Sequence, residues 1–233
     1  EGFVCSKANG TVSLNGAGMD YTTAAFQSGI DLASFRIKQH VYTGIHVDLA
    51  GRSGTFDFKG NTKDPLLVTN FNGTASMSNK YPSIKSFINV QNANPFALGL
   101  YADSLSFKTK ANLDLKDLDP SSLNAYIRLD STVVFKNNSA YRMDSLLAKG
   151  YVDIGKTFIT VNSSAMDAVV KGVYQYTELG AIFQQTLNKY THSPAAAAPV
   201  SNYSIDMAAD IKPDPLYAVL LPGLFFDKNM SLR

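Results

Sequence analysis

Apolar and polar residues alternate one by one along most of this chain. The longest unbroken case is residues 123–135, where Leu123, Ala125, Ile127, Leu129, Ser131, Val133 and Phe135 alternate with Asn124, Tyr126, Arg128, Asp130, Thr132 and Val134. A period of two gives a strand with one greasy and one wet face. At ~3.3 Å per residue the run extends about 40 Å, roughly twice an ordinary strand. Shorter runs repeat the pattern: Ile45, Val47 and Leu49; Phe56 and Phe58; Ile84, Ile88 and Val90; Leu105, Phe107, Leu113 and Leu115; Ile159 and Val161; Ile205 and Met207. The alternation falters at Asp117–Leu118, which predicts a bulge before the next turn. Gly73, inside "LLVTNFNGTASM", predicts a bulge or turn.

Only residues 177–190, "TELGAIFQQTLNKY", carry helical spacing, with Leu179, Ile182, Phe183, Leu187 and Tyr190 on one stripe and Thr177 as N-cap. "DPLYAVLL" predicts a second, short helix. Between them "THSPAAAAPVS", residues 191–201, reads as a linker or loop. The chain therefore divides into a strand-rich part ending in the helix (1–190), the linker (191–201), and the start of a further strand-rich repeat (202–233). "ANPFAL", "LDPSSL" and "IKPDPL" share a strand-ending Pro turn anchored by Leu, a weak internal repeat.

Composition supports β structure. Only Glu1 and Glu178 are glutamates, so a good helix former is scarce. A formal charge of +2 with scattered lysines leaves no footprint for nucleic acid or an anionic membrane surface. Cys5 is the sole cysteine, which excludes an internal disulfide. His40, His46 and His192 show no metal or catalytic spacing and read as surface residues. "NGAGMDY" lacks the third glycine of a phosphate cradle and reads as a turn. "DLKDLDP" clusters three aspartates without the spacing of a calcium loop and reads as a solvated strand end. No nucleophile elbow is present. The sequence is expected to need no cofactor or metal and not to be an enzyme.

Strands with so few helices must turn their apolar faces to another sheet, to a curled continuation of themselves, or to an apolar ligand. The succession of elements narrows this. "DLDPSSL", then "DSL" before the next strand, then "ITVNSSAMDAVVKGVY" and a helix running into "LNKY", resembles the AsmA-like group, and within it the TamB-type translocation and assembly proteins of Bacteroidetes. Upstream "FRIKQHVYTGIHVDLAG" with "FDFKG", and downstream "LLPGLFFDKNMSLR", fit the same succession, so the resemblance spans residues 26–233. It includes neither the membrane anchor nor the barrel-contacting domain of such proteins, and the chain reads as a portion of a longer one.

The resemblance implies a mainly β fold, with long antiparallel strands in a curled sheet, a β-groove or half-pipe. It implies a periplasmic region of an inner-membrane-anchored parent, working with an outer-membrane barrel of the BamA superfamily. Its cargo would be phospholipid acyl chains, its task lipid passage towards the outer membrane or outer-membrane protein assembly. The candidate groove lining is the apolar parity: Ile45, Val47, Leu49, Phe56, Phe58, Leu105, Phe107, Leu113, Leu115, Ile127, Leu129, Val133, Phe135, Ile159, Val161, Ile205 and Met207. The alternatives are a scaffold offering sheet edges to outer-membrane strands, and an extracellular β-sandwich binding module.

Overall fold

The computed structural model describes residues 5–18, 20, 23–37, 40–77, 80–100, 104–182, 184–185, 202–217 and 228–232. The alternating runs become strands, all in one antiparallel meander. They are β1 (Cys5–Ala17), β2 (Ala25–Ile37), β3 (His40–Arg52), β4 (Thr55–Asp64), β5 (Leu67–Ser76), β6 (Ser83–Ala93) and β7 (Ser106–Asp117). There follow β8 (Asn124–Lys136), β9 (Ser139–Asp153), β10 (Lys156–Ser163), β11 (Met166–Val173), β12 (Ser204–Ile211) and β13 (Met230–Leu232). Spatial order equals sequence order across this single 13-stranded sheet. The sheet is open, with β1 and β13 as its edges, and sheets of such width coil rather than lie flat. Among the described residues, each strand packs substantially only on its sequence neighbours, so no second layer covers either face. A two-layer sandwich is therefore not what these strands form.

β1 and β2 were not evident from alternation alone, because glycines and small polar residues dilute it. The strand around Gly73 is uninterrupted: Gly73 pairs in regular register with Phe58 and Ser86, correcting the expected bulge or turn. What requires glycine there is space. A Cβ on Gly73 would sit 2.4 Å from the Lys85 carbonyl oxygen and 2.7 Å from the Phe58 ring. The pattern recurs: the Phe26 ring lies over Gly51 and the Phe71 ring over Gly60, each phenylalanine directly opposite its glycine. The rings restore the apolar area the glycines omit, the aromatic rescue familiar in designed sheets.

The bulge expected near Asp117 is present, as a register shift between Leu115 and Asp117. A second bulge has no sequence signal. Ser131 adopts φ +53°, and the β7–β8 register slips from Lys110 opposite Asp130 to Lys108 opposite Val133. One extra residue exchanges the faces of everything beyond it. Thr132 now shares the apolar side with Thr109, their hydroxyls 2.7 Å apart, and Val134 lies opposite Phe107. Val133 and Phe135 thereby move to the polar face. Val133 is buried between Lys108 and Arg142, and Lys108 Nζ stands 6.0 Å over the Phe135 ring.

Turns account for much of the remaining order. Three hairpins close with two residues of positive φ: Ser53–Gly54, Asn137–Asn138 and Ile154–Gly155. That is the type I′ geometry that matches strand twist. At Asp64, Asn94, Asp119 and Asp214 an Asx residue precedes proline and accepts a hydrogen bond from the backbone N–H of Leu66, Ala97, Ser121 and Leu216 respectively. Proline fixes φ while the Asx side chain stands in for the missing ladder bond. Behind three of these turns Leu98, Leu123 and Leu216 are buried, as the repeat predicted. Leu123 settles over Gly150, where a Cβ would come within 2.8 Å of its methyl. The fourth turn carries Asp64, only 1% exposed, which accepts from Thr43 N–H and Leu66 N–H and lies 3.1 Å from His40 Nε2. The surface reading of His40 is corrected accordingly: it is an end-of-sheet partner of a buried carboxylate.

The predicted helix is entered differently from expectation. Gln175 is its N-cap, without a side-chain bond, and Thr177 lies inside a 3-10 turn, Tyr176–Glu178. Helical geometry continues through 179–182 and 184–185, with Ile182 buried. Phe183 and residues 186–190, the linker at 191–201, and 218–221 of the second predicted helix lie outside the described residues. Tyr176 donates its hydroxyl to the Leu118 carbonyl, tying this segment to the Asp119–Pro120 turn. β12 joins β11 in the same sheet, so the strands beyond residue 201 extend the first sheet rather than begin another.

Candidate functional site

The register resolves the apolar face into three cross-strand rows. The first runs Gly16, Phe26, Gly51, Phe56, Ala75, Ile84, Leu115, Ala125, Gly150, Ile159, Val170, Met207. The second runs Leu14, Ser28, Leu49, Phe58, Gly73, Ser86, Leu113, Ile127, Ala148, Val161, Ala168, Ala209, Leu232. The third runs Val12, Ile30, Val47, Gly60, Phe71, Ile88, Ala111, Leu129, Leu146, Ser163. No ionisable side chain enters any of them. The polar members are serines, and Ser86 spends its hydroxyl on the Asn72 carbonyl.

Most candidate lining residues fall on this one face. Val47, Leu49, Phe56, Phe58, Leu113, Leu115, Ile127, Leu129, Ile159, Val161 and Met207 stand in the three rows. Ile45, Phe107 and Ile205 lie on the same face beyond them, opposite Thr62, Val134 and Gly172. Leu105 precedes β7 and is not in a strand. Val133 and Phe135 are excluded by the Ser131 bulge. Sequence reasoning missed Val12, Leu14, Phe26, Ile30, Phe71 and Leu146; the signal that finds them is register, since each continues a row already begun by its neighbours.

The opposite face is polar and cross-linked by charge. Asp31, His46 and Asn61 stand in register, and His46 places Nδ1 2.6 Å from Asp31 and Nε2 3.1 Å from Asp48. Hydrogen bonds to Asp31 and then Asp48 push the His46 imidazole above its ordinary value, and His46 in turn holds Asp48 below the usual carboxylate range. Lys59 Nζ lies 3.4 Å from Asp48, and Arg128 pairs with Asp130 at 2.9 Å. His46 thus is a surface residue, as expected, but its carboxylate partners come from across strands where linear spacing does not reveal them. Among the described residues no group of three or more His, Cys, Asp or Glu is placed to hold a metal ion, and no helix is long and apolar enough to cross a membrane.

The two faces therefore offer different chemistry. The apolar one can hold chains of methylenes and nothing that needs a hydrogen bond. The polar one can meet water or hydrogen-bonding ligands. No family model matches the sequence, and no curated protein or solved structure matches it either.

Proposed function

We propose that this sheet is a segment of a lipid-conducting groove in a periplasmic protein, with phospholipid acyl chains lying on the three apolar rows. The observation that carries the reading is their continuity, two of them from β1 to β12 and the third from β1 to β10, without an ionisable group or a covering layer among the described residues. An acyl chain on such a floor gains roughly 0.8 kcal/mol for each methylene removed from water. Successive positions are chemically alike, so a chain can shift along the rows with little net change. The succession of motifs that resembles TamB-type proteins supports the same reading, and with it a BamA-superfamily barrel as partner of the parent protein.

The test is lipid capture. Protein purified from an envelope fraction should carry phospholipid detectable by mass spectrometry. Ile127→Asp together with Leu129→Asp, in the centre of the second and third rows, should remove it while strand content measured by circular dichroism stays unchanged. Absence of lipid from the native protein, or equal lipid in the double variant, would sink the proposal.

A second reading has its own observation. β1 is a long edge strand, without a partner strand on its outer side among the described residues, whose Val12 and Leu14 are 67% and 72% exposed. Such an edge can accept an incoming amphipathic strand by backbone pairing, as a scaffold for outer-membrane strands would. Crosslinks from β1 to barrel proteins, in place of lipid adducts, would favour it.

A further inference from the structure

The polar face contains a feature that a passive solvated exterior does not require. A trough of about 790 Å³ crosses β1 to β5 on that side. Its floor is the backbone of the Leu14–Ser28–Leu49–Phe58–Gly73 row, whose side chains point the other way. Its two walls are rows of alternate residues, one bearing Asn15, Gln27, Asp57 and Thr74, the other Asp48, Lys59 and Asn72. The walls are two residues apart along each strand, about 6.6 Å at ~3.3 Å per residue.

The wall groups divide by whether they are already engaged. Asp48 and Lys59 satisfy each other and His46. Asn15, Gln27, Asp57, Asn72 and Thr74 make no side-chain hydrogen bond within the described residues. The free set is therefore two carboxamides on one wall with a carboxylate and a hydroxyl, and a third carboxamide opposite. Carboxamides both donate and accept, so the set suits a ligand offering many hydroxyls rather than a net charge. Within this cavity a cation would find one free carboxylate, Asp57, and an anion only Lys59, already paired; further along the same wall Lys85 and Asp114 stand in register with opposite charges, so the wall charges nearly cancel.

The trough does not stop at β5. A second cavity of about 450 Å³ shares Asn72, Gly73 and Thr74 with it and continues to Phe87 and Tyr126. Phe87, half-buried, stands between Asn72 and Asn112 in its row, a phenyl ring set between two carboxamides. Aromatic faces combined with planar hydrogen-bonding side chains complement sugar rings, which present C–H faces and hydroxyl edges. An extended peptide is a poorer fit, since its main chain needs a sheet edge and this trough offers only side chains and a closed ladder.

We propose that this polar trough is a binding site for a neutral oligosaccharide chain lying across the strands from Asn15 towards Tyr126. The ligand's hydroxyls pair with Gln27, Asp57 and Asn72, and a ring stacks at Phe87. The proposal is independent of what occupies the apolar face.

The test uses the whole chain and a panel of neutral hexaoses (cello-, malto- and xylohexaose) in NMR titrations. At least one should shift the backbone amides of Gln27, Asp57 and Asn72 with millimolar or tighter affinity. Asn72→Ala and Phe87→Ala should each weaken that binding about tenfold, equivalent to ~1.4 kcal/mol. Asp57→Asn, exposed and isosteric, provides a variant whose fold is not at stake and should also weaken it. No shift with any hexaose, shifts that leave the amides of Gln27, Asp57 and Asn72 unmoved, or unchanged affinity in all three variants would overturn the assignment.

Discussion

At the scale of single residues, Ser131 decides more than its size suggests. The run from Leu123 to Phe135 alternates without a break, and nothing in its composition marks where an extra residue is accommodated. The extra residue at Ser131 offsets the extra residue that β7 carries between Leu115 and Asp117, so that Ser106–Asp117 and Asn124–Phe135 pair over equal lengths, a property of two strands together. Its consequence is measurable. Phe135 is 41% exposed on the polar side, so Phe135→Asp should cost about 1–3 kcal/mol through the ring area it uncovers and leave lipid capture intact. Leu129→Asp, six residues earlier in the same strand, puts a charge in the middle of the apolar rows and should abolish capture. Equal loss of lipid in both variants would show that the faces are not exchanged at Ser131. The alternation itself was readable, and so were most of the residues on the apolar face. The phase of the alternation after residue 130 was not, because phase belongs to register.

Among elements, the turns hold the strands in that register. Most follow local rules that a sequence displays: Asx-Pro steps, glycine after an αL residue, a buried leucine behind the turn. The Asp64–Pro65 step passed unnoticed because Lys63 and Val68 stand where the repeat has an apolar residue and its leucine, yet it carries the most buried side chain of the sheet ends. The Ile154–Gly155 turn departs from the rules. Ile154 has φ +46° and is 94% exposed, so a β-branched side chain occupies a left-handed position and packs on nothing. Left-handed geometry costs such residues about 1–2 kcal/mol, and asparagine is the residue this turn prefers. Ile154→Asn should therefore raise the stability of the protein by about 1 kcal/mol in urea unfolding. A neutral or destabilising result would mean that Ile154 contacts something in solution. The helix shows the limit of local rules from another side: its apolar stripe was visible, but its first turn is set by Tyr176 reaching the Leu118 carbonyl, a contact between distant segments.

For the whole molecule, the governing fact is that, among the described residues, strands pack substantially only on their sequence neighbours. Stability then resembles that of a repeat array, a sum of strand terms and interfaces between adjacent strands, more than that of a globule with one core. Opening should begin at the edges and work inward. Amide hydrogen exchange should rise in protection from β1 and β13 towards β6–β8, with the short β13 exchanging fastest. Uniform protection across all strands would contradict this and point to a covering layer that couples them. The fold class was legible in the alternation because every strand has the same problem, one face without a partner. The identity of the occupant is not encoded in the same way. An apolar row reads alike whether it meets a lipid, a second sheet or a partner strand.

The match between spatial and sequence order also bears on how the protein comes to be folded. As each strand of β2 to β11 emerges behind its predecessor, its partner is already present and a connection of two to twelve residues away. Pairing can proceed in the direction of synthesis or export, with the loop-closure cost kept small at every step. β12 waits longest, because residues 174–203 separate it from β11, and β13 then waits for residues 212–229. Until the first of these segments has passed, β11 is a temporary edge, and the growing sheet presents its backbone to whatever strand arrives first. A chain of this design is vulnerable to mispairing at two late intervals of its production rather than throughout, and a chaperone that guards it would be needed chiefly then.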